Sequence, residues 1–162
     1  MIYRIKQFFT SLTAKINSDD IKYLKKNLNK SELALFLKLK KSEQKHCIKV
    51  SKDVEQICFH NDIKCDKLLK VALLHDIGKT EVKLNLIEKA ILVILDKITN
   101  GRLKNNKNKK VYIYYNHGKV GAKLLENYGY DKRFLYLIEN HHNKNIKNDK
   151  ELEIIIYSDN KN

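Results

Sequence analysis

Val71-Ala72-Leu73-Leu74-His75-Asp76-Ile77-Gly78-Lys79 decides how this chain is read. It is an apolar helical run that ends on an imidazole and a carboxylate. Leu68, Val71 or Ala72, and His75 share one helical stripe, and Leu69, Leu73 and Asp76 share the next. A carboxylate at the end of a buried face is costly unless something positive meets it. The adjacent imidazole suggests a metal ion. Asp66 is read as the start of this helix and Gly78 as its left-handed stop.

Four other segments place a potential ligand in the same way. His46 lies on one side with Val50, Val54 and Ile57. Tyr114, His117, Gly121, Leu124 and Tyr128 form a row. Phe134, Ile138 and His141 form another, with Leu135 and His142 beside it. Leu152, Ile155, Ile156 and Asp159 form the last. Each of these residues alone has an ordinary reading, as a hydrogen-bonded core histidine or a capping carboxylate. Together they extend five apolar faces inward. Burying them separately would need many hydrogen-bond solutions, whereas shared cations compensate them at once.

The rest of the 162-residue chain is read as helical and as one domain. It has no proline and five glycines, and Leu, Ile, Lys and Glu are abundant. The expected organisation is N-terminal helices over 1–41 packing on a domain over 42–162. An amphipathic helix over residues 2–16 packs on the domain rather than lying on a membrane surface. Helix starts are read at Ser18-Asp19-Asp20, at Ser31-Glu32 and at Ser42, the last opening a helix that runs to about His60. Leu84 to Ile98 is apolar on most sides and is expected to be well buried. Residues 99–110 read as a basic, Asn-rich solvated connection. Helices follow near 111–128, 131–143 and 149–160. The architecture is all-α, a single-domain helical bundle with a metal site in its centre.

The formal charge is +14. Such a charge attracts phosphate-bearing partners. Lys, Asn and Ile are nevertheless abundant throughout, as an AT-rich coding sequence gives, and no nucleic-acid motif accompanies them, so nucleic acid is possible but not favoured. Cys47, Cys58 and Cys65 form no CxxC pair, which fits a reducing cytoplasm. No stretch has the apolar length of a transmembrane segment. His60 is read as a C-terminal helix cap, Cys47 as core, and Tyr112, Tyr114 and Tyr115 as core and interface aromatics.

These elements in this order resemble the HD superfamily of metal-dependent phosphohydrolases, in its HDIG type. The resemblance spans roughly 42–160. It rests on His46 in Gln44-Lys45-His46-Cys47-Ile48-Lys49-Val50, on His75-Asp76-Ile77-Gly78-Lys79, and on Asn116-His117-Gly118-Lys119-Val120-Gly121. Ile138-Glu139-Asn140-His141-His142 and Ile155-Ile156-Tyr157-Ser158-Asp159 complete it. It implies that His46, His75, Asp76 and Asp159 hold one ion. It further implies that His117 and His141 hold a second, with Asp76 bridging, so the site is dinuclear. His142 is either a third-site ligand or a contact to substrate phosphate. Asn143-Lys144-Asn145 after the paired histidines departs from HD-GYP enzymes, which carry Glu and a Gly-Tyr-Pro segment. A compact HD branch that cleaves dinucleoside polyphosphates has a similar six-ligand set.

An imidazole and carboxylate set without thiolate suits iron, manganese, cobalt or zinc, with magnesium also possible. The resemblance favours iron or manganese. Paired cations about 3.5–4 Å apart convert a water into a hydroxide that attacks phosphorus. The expected substrate is a nucleotide or another small phosphate compound. Asp76 and Lys79 are the candidate catalytic residues, and Lys79, His142 and Lys119 the candidate contacts to substrate. Lys79 reads equally as a solvated lysine favourable to a helix end. The alternative function is a regulatory nucleotide-binding module without turnover.

Overall fold

The computed structural model describes residues 15–162 except Lys83 and Asn85, and leaves aside the side chains of Leu86, Ile87, Lys89, Lys104 and Asn105. The helix expected over 2–16 lies outside these residues, save for Lys15 and Ile16. Those two are not helical, and Ile16 packs against the core. Among the described residues eight α-helices follow one another: α1 Ser18–Asn27, α2 Lys30–Phe36, α3 Lys41–His60, α4 Asp66–Leu74, α5 Leu86–Ile98, α6 Lys109–Leu125, α7 Lys132–Asn140 and α8 Lys150–Lys161. Short 3-10 turns occupy Ile77–Glu81, Arg102–Asn105 and Glu126–Tyr128. Among the described residues there is no strand, and no helix is long and apolar enough to cross a membrane.

Helix α4 is the axis of the molecule. Leu68, Leu69, Val71, Ala72, Leu73 and Leu74 are all buried, so the last turn of the helix is covered on every side, while Asp66, Lys67 and Lys70 keep its start toward solvent. Full burial of each aliphatic side chain contributes about 1.5–3 kcal/mol before chain entropy is set against it. Helices α3, α7 and α8 surround α4, and Leu24, Leu35 and Phe36 of the first two helices, with Leu28 between them, belong to the same core.

The first two helices start on asparagine, one or two residues before the serines that the sequence suggested. Asn17 accepts from the Asp20 amide, and the Asp20 carboxylate accepts from the Asn17 amide. Asn29 and Glu32 repeat this reciprocal box. Both acids are buried, and both are met by lysines of later helices: Lys45 and Lys52 on Asp20, Lys70 on Glu32. Helix α3 starts at Lys41 and ends at His60. Its C-terminal cap is Asn61, whose amide donates to the Ile57 carbonyl, while His60 stands exposed against the ring of Phe59.

Two further expectations are overturned. The helix from Asp66 stops at Leu74, not at Gly78. A 3-10 turn follows, and Gly78 lies within it without a left-handed backbone. Glycine is required there for closeness: a Cβ on Gly78 would lie 2.0 Å from the His117 carbonyl oxygen. Helix α5 is also not well buried. Leu92 faces inward, yet Ile91, Ile94, Leu95 and Ile98 are 48%, 57%, 38% and 71% exposed. Helix α5 is anchored to α6 by Leu92, by Lys110 on Glu88 and by the Tyr115 hydroxyl donating to Asp96, so its remaining apolar side is left outside.

Candidate metal centre

Helices end where the site begins. His75 follows the last residue of α4, and His141 follows the last residue of α7. His117 stands one residue after Asn116, whose φ of −117° and ψ of 15° break α6 into two halves. The last carbonyls of a helix have no intrahelical partner. Each histidine takes one of them three residues back. His75 Nδ1 donates to Ala72 O at 2.8 Å, His117 Nδ1 to Tyr114 O at 3.0 Å, and His141 Nδ1 to Ile138 O at 2.6 Å. This fixes the tautomer, leaving every Nε2 as a lone pair aimed inward. The negative ends of α4, α7 and the first half of α6 thereby converge, which favours a cation.

Glycines let these elements meet. Gly78 sets the Ile77–Glu81 turn against α6. Gly118 sets α6 against α7, because a Cβ there would lie 2.7 Å from the Glu139 carbonyl oxygen. Neither role was read from the sequence, which shows a glycine but not what passes over it.

All seven residues singled out as possible ligands come together. Ligand atoms of Asp76, His117, His141 and His142 lie within 4.8 Å of one another, as do those of His46, His75 and Asp76, and those of His75, His141 and Asp159. Asp76 belongs to two of these groups. Its Oδ1 is 3.2 Å from His117 Nε2 and 3.9 Å from His141 Nε2, and its Oδ2 is 3.6 Å from His75 Nε2. Asp159 Oδ1 is 2.9 Å from His46 Nε2 and 3.6 Å from His75 Nε2, while its Oδ2 is 3.4 Å from His142 Nδ1. His75, Asp76 and His141 are at most 1% exposed.

Hydrogen bonds do not satisfy this cluster. His75 Nε2, His141 Nε2 and Asp76 Oδ1 are buried with no hydrogen-bond partner. His117 Nε2 and His142 Nε2 stand 3.0 Å apart. A neutral His142 has one N–H for two needs, His117 Nε2 on one side and Asp159 on the other. Leaving several such groups bare in the interior is costly. Ligands about 2.1 Å from a common ion stand roughly 3 Å from each other, which is how these lone pairs are spaced. The donor set therefore fits divalent metal.

The local charges point the same way. Burial opposes ionisation of Asp76, but Lys79, His75 and His117 outweigh it and hold its carboxyl well below the usual range. Burial also opposes charge on Asp159, and the hydrogen bond with His46 together with the adjacent His75 ring holds it low. Burial together with the neighbouring His142, His75 and His117 keeps His141 neutral. Burial and His117 push His142 down to about 4. For His75 the two carboxylates overcome burial and raise its pKa. Ionised Asp76 and Asp159 beside neutral His141 and His142 are protonation states that metal binding needs, and a cation would take the place of a proton on His75.

Lys79 Nζ is 2.6 Å from Asp76 Oδ2, with its side chain 27% exposed at the edge of the site. The surrounding carboxylates keep it charged despite its burial. Beside His142 a cavity of about 320 Å³ opens to solvent, lined by Tyr115, Asn116, Lys119, Asn140 and Asn143 among others. Lys119 is an exposed member of this lining and is not among the grouped ligand residues. Cys47 is buried in the core, and Tyr112 is 44% exposed.

No curated protein and no solved structure matches the chain. A family model described as HD domain matches residues 44–160, which takes in every member of the cluster. With that match, an all-helical fold and a buried imidazole–carboxylate cluster able to hold divalent metal, the chain belongs to the HD domain family.

Proposed function

We propose that the chain is an HDIG-type, metal-dependent phosphohydrolase acting on a nucleotide or another small phosphate compound, outside the HD-GYP branch. His46, His75, Asp76 and Asp159 hold one ion. Asp76, His117 and His141 hold a second, with Asp76 shared and His142 closing the outer side. Iron or manganese is favoured, and zinc, cobalt or magnesium is compatible with the donors. The observation that carries this reading is the set of buried, partnerless atoms His75 Nε2, His141 Nε2 and Asp76 Oδ1 facing one another in an HD-family chain. The retention of every ligand position favours turnover over a purely regulatory role.

Bound divalent ions would supply a water of lowered pKa and positive charge for phosphoryl oxygens. The chain supplies the rest. Asp76 Oδ2 holds the Lys79 ammonium at the cluster's edge, where it can meet a phosphate oxygen as a point charge. Lys119 adds a second cation at the open side, and the amides of Asn116, Asn140 and Asn143 offer donors around it. The walls formed by α4 and α7 keep water from the inner face of the cluster.

The test is anaerobic purification, measurement of bound metal, and a nucleotide panel with Fe²⁺ or Mn²⁺. The wild-type chain should bind metal and turn over at least one substrate, and the double variant His75→Ala, Asp76→Ala should do neither. Metal-free protein, or equal activity in the double variant, would overturn the proposal. Tight nucleotide binding without turnover in fully metallated protein would assign the regulatory role instead.

A further inference from the structure

Helix α5 carries its apolar stripe outward. Ile91, Ile94, Leu95 and Ile98 recur at the spacing of one helical face, and each is substantially exposed. The stripe has a fixed orientation, because Leu92, Asp96 and Glu88 on the adjoining face are engaged by α6 and the segment before it. A contiguous aliphatic surface of this kind on a folded domain marks an interaction site.

The chain that follows defines the partner. From Lys97 to Leu125 it has eight basic residues and no acidic one, although 19 acidic residues are spread over the remainder. Lys97, Arg102, Lys107 and Lys109 are exposed, and among the described residues none of the four is in an ion pair. This segregation is not the uniform lysine excess of a biased coding sequence. An exposed aliphatic stripe followed directly in the chain by exposed cations matches a surface that is apolar within and anionic outside, which is the chemistry of an acidic phospholipid layer. A nucleic acid would meet the cations but offer no seat for four aliphatic side chains. A second copy would seat the stripe but bring its own cations against these. Four side chains also present only a few hundred Å², against about 800 Å² per partner in a standard interface.

We propose that α5 and the basic segment after it dock the protein on an anionic lipid surface, with Ile94 and Ile98 entering the headgroup boundary and Lys97, Arg102, Lys107 and Lys109 meeting lipid phosphates. Tyr115 joins this surface to the site, since its hydroxyl holds Asp96 of α5 while its ring lines the cavity beside His142.

The experiment uses the full chain and vesicles of phosphatidylcholine with or without phosphatidylserine. The chain has no tryptophan, so Ile98→Trp introduces a single reporter. Its emission should shift to the blue with phosphatidylserine vesicles at low salt and stay unchanged with phosphatidylcholine alone. In co-sedimentation, Ile94→Ser with Ile98→Ser should lower partitioning about tenfold or more. Lys107→Glu with Lys109→Glu should do so by a similar factor and weaken the salt dependence. Melting temperatures should stay near wild type, because all four positions are exposed. Absence of binding to acidic vesicles would overturn the proposal. So would binding that is unaffected by both double variants, which places the contact elsewhere, for instance in residues 1–14. A dimer seen by sedimentation velocity, lost in Ile94→Ser with Ile98→Ser and without vesicle binding, would assign the stripe to a second copy.

Discussion

A methyl group at position 78 would fall on space already held by backbone. The ideal Cβ lies 2.0 Å from His117 O, 2.7 Å from Gly121 N and 2.9 Å from His117 C. None of these atoms is the free end of a side chain, so relief requires the Ile77–Glu81 turn and α6 to separate. Gly121 faces the same contact from the other side, but its Cβ would lie 3.1 Å from Gly78 N and 3.2 Å from Ile77 Cγ2. A few tenths of an ångström relieve that, and alanine in a helix recovers about 1 kcal/mol relative to glycine. Urea unfolding should therefore show Gly78→Ala losing about 3 kcal/mol or more, and Gly121→Ala about 1 kcal/mol or less. Equal losses would mean that the two elements do not meet as described. The sequence pattern His75-Asp76-Ile77-Gly78 made position 78 conspicuous, and a helix stop was the natural reading of a glycine after an apolar run. Which backbone crosses over it depends on residues about forty positions away, and local pattern carries no record of that.

Helix ends set up most of the site, with His46 and Asp159 added from the faces of α3 and α8. Period-3.6 spacing identified most inward faces, since Val50, Val54, Leu69, Leu73, Phe134, Ile138, Leu152 and Ile155 all lie in the core, but the α6 row ran past the helix end at Leu125 to Tyr128, which is 38% exposed in a 3-10 turn. The breaks at Leu74 and Asn116 escaped it, since the apolar spacing runs on across them. Helix α5 was misread for a related reason: apolar residues on most sides show that two faces need cover, not that both receive it within one chain. The capping boxes belong to this scale too. Glu32 accepts from the Asn29 amide, from Lys70 at 3.0 Å and from the Tyr130 hydroxyl at 2.6 Å. Burial alone would raise its pKa, but these donors outweigh burial and lower it. A carboxyl whose folded pKa is depressed stabilises the fold above its unfolded pKa of about 4.3, and that contribution fades as pH falls through the folded value. Glu32→Gln removes the charge while keeping the shape. At neutral pH it should cost about 1.5–3 kcal/mol in urea unfolding. The gap to wild type should stay level down to about pH 5 and close below about pH 4. A gap that widens as pH falls would show that Glu32 is not held ionised by its partners.

At the scale of the whole molecule, five helices are tied to one point that the chain alone leaves unsatisfied. Two carboxylates and five imidazoles converge, with only His142 exposed, and the partnerless atoms lie on α4's end, α7's end and the residue that bridges them. In the absence of a cation, the core must hold those groups at a cost; with one, the same groups join α3, α4, α6, α7 and α8. Metal that binds the folded state and not the unfolded chain adds stability by mass action, about 2.7 kcal/mol at a hundredfold excess over Kd. For a domain of this size that corresponds to a rise in Tm of roughly 5–10 °C. Thermal unfolding in Mn²⁺ against chelator should show this shift for the wild-type chain and lose it in His75→Ala with Asp76→Ala. The double variant should also melt no lower than wild type in chelator by more than a few degrees, because it deletes the bare Nε2 and Oδ1 along with the contacts around them. Ile94→Ser with Ile98→Ser should keep the full metal-dependent shift, since α5 contributes no member of the cluster. If metal left the wild-type melting temperature unchanged, the convergence of these helices would need another explanation than a shared ion.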